Sequence, residues 1–459
     1  MQRLPLAIVL ACLASPTLWS GGLPIARLQL LSRGINIDNW FSAYSDPKRY
    51  PTRLSQSDFS LIKETGISVI RLTIAPEVLF NDAEPAVFRD PIRYVDKAVQ
   101  MALDAGLAVI VDPIHGTSSN NDFEGRLARD PAFRSRIETF WETLARRYAA
   151  YSTERVFFEV MNEPHLSTVE KIDTGWWPPV QERLAAAIRG GAPENTIIAT
   201  GEKWGGIEGL LSLKPLADGN VVYSFHWYEP FTFTHQGADW AGEIQKQLAG
   251  IPYPSSPAGV TAAADSLKDM KGRDQVRRYG QDRWDADRIR KELSRAAQWG
   301  RAHGVPVFCG EFGVYKKVSP VEDRLRWISD VRASLEELGA GWAMWEYDSG
   351  FGFVNYQDSA HFKGRSVDVR CLQALGLRTP AGGNALAGEP LPMAGFISGP
   401  SHAHRDAGLG AQHRVQDTGH AGGEAAIVLP RNRHPGNGPA SFGLGEPGSC
   451  RLRREGRGC

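Results

Sequence analysis

Residues 156–164 read Val-Phe-Phe-Glu-Val-Met-Asn-Glu-Pro, an apolar run, broken once, that ends in Asn162, Glu163 and a proline. It lacks the strict alternation of a strand with one wet face, so it reads as a parallel strand covered on both sides. Seven further segments share the pattern: Gly34–Asp38, Val69–Ile74, Ala108–Ile114, Thr196–Thr200, Val221–His226, Pro306–Cys309 and Gly341–Trp345. Amphipathic helical patterns lie between and after them, at Gln56–Thr65, Ile92–Ala105, Ile137–Tyr148, Val180–Arg189, Ala286–His303, Val321–Leu338 and Val369–Leu375. Gly66, Gly106, Gly190, Gly304 and Gly339 stand where helices should stop. Eight strands with helices between them predict an α/β fold, the (β/α)8 or TIM barrel. An open doubly wound sheet is the structural rival, but no Gly-x-Gly-x-x-Gly follows the first strand.

Two stretches depart from this grammar. Residues 229–285, after the sixth strand, are much longer than an ordinary strand-to-helix connection and are expected to form a long loop insertion, as a cleft wall or lid or as an ornament. Residues 381–459 hold 17 Gly and five of the 11 His but no Lys, Trp or Tyr, a composition expected to stay disordered. At the other end Arg3 precedes the apolar run Leu4–Leu13, so residues 1–22 read as a signal peptide and the protein as secreted. Cys12, preceded by Val9-Leu10-Ala11, offers a route to a lipid anchor. The run is too short to span a bilayer. The catalytic domain is therefore expected over residues 23–380.

Lys plus Arg and Asp plus Glu number 52 each, which removes the electrostatic case for nucleic acid or an anionic membrane as partner. Cys309, Cys371, Cys450 and Cys459 show no metal-site spacing, and Cys309 reads as a buried thiol. Thirteen Trp is a high count, and an indole suits a flat partner such as a sugar face, although core packing accounts for most of them.

In a barrel the C-terminal ends of all strands face one mouth. Arg71 stands there on the second strand, His115 after the third, Asn162 and Glu163 after the fourth. His226 and Tyr228 follow the sixth, Glu311 the seventh, and Trp345 the eighth. Polar groups ending apolar strands satisfy one another only if they converge. Two mouth glutamates on strands four and seven suit glycosidic cleavage, where one acid protonates the departing oxygen and one carboxylate attacks or activates water.

With these eight residues in order, residues 32–376 resemble glycoside hydrolase family 5, the cellulase and mannanase family. The resemblance implies Glu163 as acid/base, with a raised pKa, and Glu311 as nucleophile, kept ionised by Arg71 and Tyr228. It implies Asn162 on the sugar 2-hydroxyl, His115 and His226 as sugar-binding and orienting partners, and Trp345 as the platform under the sugar being cleaved. Trp40 and Trp204, near the ends of the first and fifth strands, are further candidates for substrate binding, as are Trp176, Trp177, Trp227, Asn36 and Asn39. His115 is followed by Gly116 where many family members place further polar residues, which leaves substrate identity open.

The expected activity is a retaining endo-β-1,4-glucanase, with polysaccharide or oligosaccharide as partner, no cofactor, no metal and a monomeric state. A β-mannanase or exo-β-glucanase uses the same residues. A non-catalytic carbohydrate-binding barrel is the rival of another class. A metal-dependent hydrolase would need His-x-His on the first strand, which instead ends Ile-Asn-Ile-Asp.

Overall fold

The computed structural model describes residues 23–116, 122–166, 175–358 and 362–381. The leader expected at 1–22 with Cys12, and the tail from 382 with Cys450 and Cys459, lie outside these residues. Strands β1 (Arg33–Phe41), β2 (Val69–Ile74), β3 (Ala108–Asp112), β4 (Val156–Glu159), β5 (Ile197–Thr200), β6 (Val221–Trp227), β7 (Val307–Phe312) and β8 (Gly341–Met344) are parallel. They form a closed barrel in chain order, and β8 returns to β1 through Gly34 opposite Ala343. This is the expected (β/α)8 barrel.

Alternation along each strand builds two different layers inside it. The lower layer is apolar: Val69, Ala108, Ile110, Phe157, Ile198, Val222, Phe308 and Ala343 pack together with Leu23 and Leu31. Those two leucines flank the short helix Ile25–Leu30, so this helix closes the barrel floor. Two residues further along the strands, the layer above is polar: Arg71, Asp112, Glu159, Thr200 and Ser224, all buried. The outward faces, such as Ile70, Leu72, Val109, Val111 and Phe158, join the larger core under the helices.

One irregularity decides which way β7 presents its glutamate. In the β6–β7 pairing Phe225 stands opposite Cys309, but His226 stands opposite Glu311, so Gly310 is an extra residue. Strict alternation from Phe308 would send Glu311 outward; the bulge turns it into the mouth. A Cβ on Gly310 would lie 2.6 Å from Ser224 Oγ and 3.0 Å from His226 Nε2, so glycine is required by close approach.

The structure corrects several expectations. Helix Trp177–Gly191 runs through Gly190, whereas Gly66 and Gly304 do end helices, with φ of 97° and 67°. The insertion after β6 is no simple loop: it contains the helices Phe231–Thr234, Glu243–Gln247, Thr261–Ser266 and Met270–Asp282. Its Phe233, Leu248, Ile251, Tyr253, Val276 and Tyr279 are buried and continuous with the main core, which gives those short helices their stability. An antiparallel hairpin of β9 (Val354–Asp358) and β10 (Lys363–Val367) follows β8; its short, polar strands carry no apolar signal.

Phe157→Ala, in the apolar barrel floor, is expected to cost about 3–5 kcal/mol. Urea denaturation should show a lower midpoint with an unchanged slope; an unmoved midpoint would mean the floor does not hold the barrel together.

Candidate active site

Arg71 lies at the centre of the polar layer and is fully buried. Burial works against its charge, but Glu159 and Asp112 raise its pKa well above the usual value, so it stays a cation. Its Nε and Nη2 donate to the two oxygens of Glu159 at 2.6 and 2.8 Å, a bidentate fork. Nη1 donates to Glu311 Oε1 at 2.8 Å and to Asn36 Oδ1 at 3.0 Å. Nη2 also donates to Asn162 Oδ1 at 2.8 Å and sits 3.1 Å from Asp112 Oδ2. The side chain that sequence reasoning matched to Glu311 is thus held chiefly by Glu159.

The second oxygen of Glu311 accepts from the Tyr228 hydroxyl at 2.9 Å. Burial and the neighbouring Glu163 push the Glu311 carboxyl up; His226, Arg71 and the Tyr228 hydrogen bond pull it back down. His226 Nδ1 lies 2.8 Å from Glu163 Oε1 and 3.6 Å from Glu311 Oε2, bridging the pair. Burial lowers its pKa despite Glu311. Glu163 itself has a left-handed backbone, with φ of 35°, a strained value for a residue with a Cβ.

His115 Nδ1 is 2.6 Å from Asp112 Oδ2, and its ring stacks on Trp345 with centroids 5.4 Å apart and planes at 12°. Burial, then the charge of Arg71, push the His115 imidazole well below its usual range, so the ring is neutral and donates to Asp112. Burial raises Asp112 to about 6 against the pull of Arg71.

Five of the eight mouth residues, Glu163, His226, Tyr228, Glu311 and Trp345, line a cleft of ≈ 920 Å³. Arg71, His115 and Asn162 lie buried around them. Trp204 also lines the cleft and is 44% exposed. The insertion contributes Phe231, His235 and Trp240, so it forms part of the cleft wall.

Trp40 does not belong to this group. β1 continues through it to Phe41, which carries the ring away from the mouth into the core, stacked on Phe41 at 4.8 Å, with Nε1 donating to Tyr50 O at 3.0 Å. Trp177 is likewise core, donating to Thr200 O at 2.6 Å. Asn36 is spent on the frame: its Nδ2 donates to Gly310 O and Met344 O at 3.0 and 3.2 Å. Cys309 and Cys371 are buried free thiols.

Glu159 and Asp112 escaped sequence reasoning. Their signal was present, a carboxylate inside an apolar strand two residues beyond an inward apolar one. Glu163, His226 and Glu311 are the one group among the described residues that places ligand atoms within 4.8 Å of one another, as a cation would need. Both oxygens of Glu311 and Nδ1 of His226 already have hydrogen-bond partners, so a cation would have to break these bonds.

A barrel mouth with two facing glutamates, an arginine and tyrosine on one and a histidine on the other, defines a glycoside hydrolase. The chain belongs to glycosyl hydrolase family 5, the cellulase family, whose model matches residues 32–350. Endoglucanase 3 of Fibrobacter succinogenes is 26% identical over 342 residues, covering 71% of this chain and 51% of that protein. The chain therefore spans about half the length of that relative. Endoglucanase C of Acetivibrio thermocellus is 26% identical over 319 residues, covering 68% of this chain and 90% of the relative. The solved structure of endoglucanase Cel5A from the hyperthermophilic Thermotoga maritima superposes with a TM-score of 0.61 at 29% identity, covering 77% and 99% of the two chains. Among the described residues no helix is long and apolar enough to cross a membrane.

Glu159→Gln sets an amide N–H against the Arg71 fork and removes its main countercharge. Breaking a buried ion pair from one side is expected to cost about 3 kcal/mol or more, read as a lower urea midpoint. Unchanged stability would mean Arg71 is held by its other partners alone.

Proposed function

We propose that the protein is an exported, retaining endo-β-1,4-glucanase working by double displacement. The observation that carries this reading is the approach of the two carboxylates: ligand oxygens of Glu163 and Glu311 lie within 4.8 Å of each other. Retaining glycosidases hold their carboxyls roughly 5 Å apart, while inverting enzymes leave roughly 6.5–9.5 Å for a water. Glu311 attacks the anomeric carbon, positioned by Arg71 and Tyr228, and the C–O bond to the leaving sugar breaks as Glu163 gives that oxygen its proton. Glu163 then takes a proton from water, which attacks the glycosyl–Glu311 ester and releases the sugar with its original configuration. Asn162, its oxygen held by Arg71, keeps its amide nitrogen as a donor for the 2-hydroxyl. Trp345, backed by His115, is the platform beneath the reacting sugar, and Trp204 a further sugar contact.

A β-1,4-glucan substrate is supported by the relatives named endoglucanases. The Thermotoga maritima enzyme is described in complex with cellobiose and with mannotriose, which supports β-mannan as the second reading. Export rests on the apolar run at residues 4–13.

Carboxymethylcellulose, mixed β-glucan and mannan, offered to the purified full chain beside Glu311→Gln and Glu163→Gln, test the proposal. One polymer should be cut, and each substitution should lower the rate about a hundredfold or more. A parent protein that binds one glycan yet cuts none would instead be a carbohydrate-binding barrel.

A pH profile tests the support of the nucleophile. Glu311 attacks only when ionised, so activity disappears as pH falls through its pKa, which burial sets above the ordinary glutamate range. Tyr228→Phe removes a donor that stabilises the ionised form, so the acid limb of kcat/KM is expected to move to higher pH. A limb that stays put would show that Tyr228 does not act on Glu311.

A further inference from the structure

We propose that Ser224 is a positioning residue for the acid: its hydroxyl, hydrogen-bonded to His226 Nε2 directly or across one water, keeps the imidazole proton on Nδ1 and so leaves the Glu163 proton on Oε2. This inference rests on the hydrolase reading and on Glu163 being the acid. Ser224 and His226 stand two residues apart on β6, so both side chains fall on the same face of the strand. Both are buried, Ser224 at 0% and His226 at 4% exposure. Among the described residues neither Ser224 Oγ nor His226 Nε2 has a hydrogen-bond partner, although polar atoms so deep are nearly always paired. The two atoms border one small space: a Cβ on Gly310 would lie 2.6 Å from the first and 3.0 Å from the second. They are therefore close enough for a direct bond or a single bridging water to join them.

The opposite side of the ring shows what this bond controls. Burial lowers the His226 pKa, so the ring is neutral and has one proton for two nitrogens. Glu163 and Glu311 face Nδ1, with Oε1 of the first at 2.8 Å and Oε2 of the second at 3.6 Å. Arg71, Glu159 and Asp112 also act on the ring. With its proton on Nδ1, His226 donates to Glu163 Oε1, and the carboxyl proton takes Oε2, from which it can pass to the departing oxygen. With the proton on Nε2, the bare Nδ1 would accept the Glu163 proton at Oε1 and hold it back from the leaving sugar. An N–H turned toward two acidic groups is favoured over a lone pair there, which leaves Nε2 as an acceptor. Ser224 supplies the donor that a buried Nε2 then needs.

The test reads the tautomer and the reaction separately, on the full chain. Nitrogen NMR of isotope-labelled histidine, with His226 assigned by its loss in His226→Asn, should show a protonated Nδ1 and a bare Nε2. In Ser224→Ala part of the proton should move to Nε2. The same variant should lower kcat/KM on cellohexaose, whose leaving sugar needs a proton, about tenfold more than on dinitrophenyl β-cellobioside, whose leaving group needs none. Ser224→Thr keeps the hydroxyl and should restore both readouts. A protonated Nε2 in the parent, or an alanine variant with an unchanged tautomer, would overturn the proposal. So would equal losses on the two substrates, the mark of packing alone. Should the alanine variant not fold, the parent spectrum decides. A parent inert on both substrates counts against the hydrolase reading, while the spectra still judge the Ser224 bond.

Discussion

Everything at the mouth of this barrel depends on the burial of one guanidinium. Arg71 has five N–H donors and finds five acceptors: two on Glu159 and one each on Asn36, Asn162 and Glu311. These partners come from β1, from β4 and the turn after it, and from β7, so a single planar group ties four sectors of the barrel together. A lysine, with three donors on a flexible stem, has no such fork. The layer also holds more negative than positive charge, since Glu159, Asp112 and Glu311 share one arginine. Burial raises the pKa of all three. A site so short of positive charge holds protons tightly, which is the condition for acid–base chemistry between two carboxylates.

Departures from regular geometry gather around that layer. Gly310 adds a residue to β7, Glu163 takes a left-handed backbone, and the turn at Lys203–Gly205 does so three times. The left-handed backbone is unfavourable alone at Glu163, Lys203 and Trp204, which carry a Cβ, and the bulge gives up regular pairing. The closed barrel offsets them, because its apolar floor and its ring of parallel strands leave the strand ends little freedom to relax. The bulge is the clearest case: it exchanges regular pairing for an inward Glu311, and the missing Cβ of Gly310 makes room for Ser224 and His226.

How much of this the sequence discloses depends on whether a feature is local. β2 and the helices Gln56–Thr65 and Ala286–His303 fall where their patterns place them, because periodicity and end signals lie within each segment. The eight mouth residues are expected to converge because polar groups at the ends of apolar strands need each other, and in the structure they gather at one end of the barrel. Trp40 was misplaced for a related reason: its side depends on how far β1 runs, and the strand continues three residues beyond its expected end. Glu159 escapes notice because the apolar run continues past it through Val160 and Met161, so a carboxylate there acquires meaning only once its partner is known to stand across the barrel. The insertion reads as a loop because three of its four helices have six residues or fewer and its apolar residues pack against the body.

These scales separate chemistry from specificity. The groups around the scissile bond are positioned by barrel strands and by a hydrogen-bond network that a single substitution would disturb in several places. Phe231 and Trp204 line the same cleft but stand on the connections after β6 and β5, outside the ion pairs of the buried layer. Changes there leave the ion pairs of the buried layer in place. A family that cuts several β-glycans with one set of catalytic residues needs such a division, since a pocket that read the polymer through Arg71 or Glu311 could not change its substrate without losing its reaction.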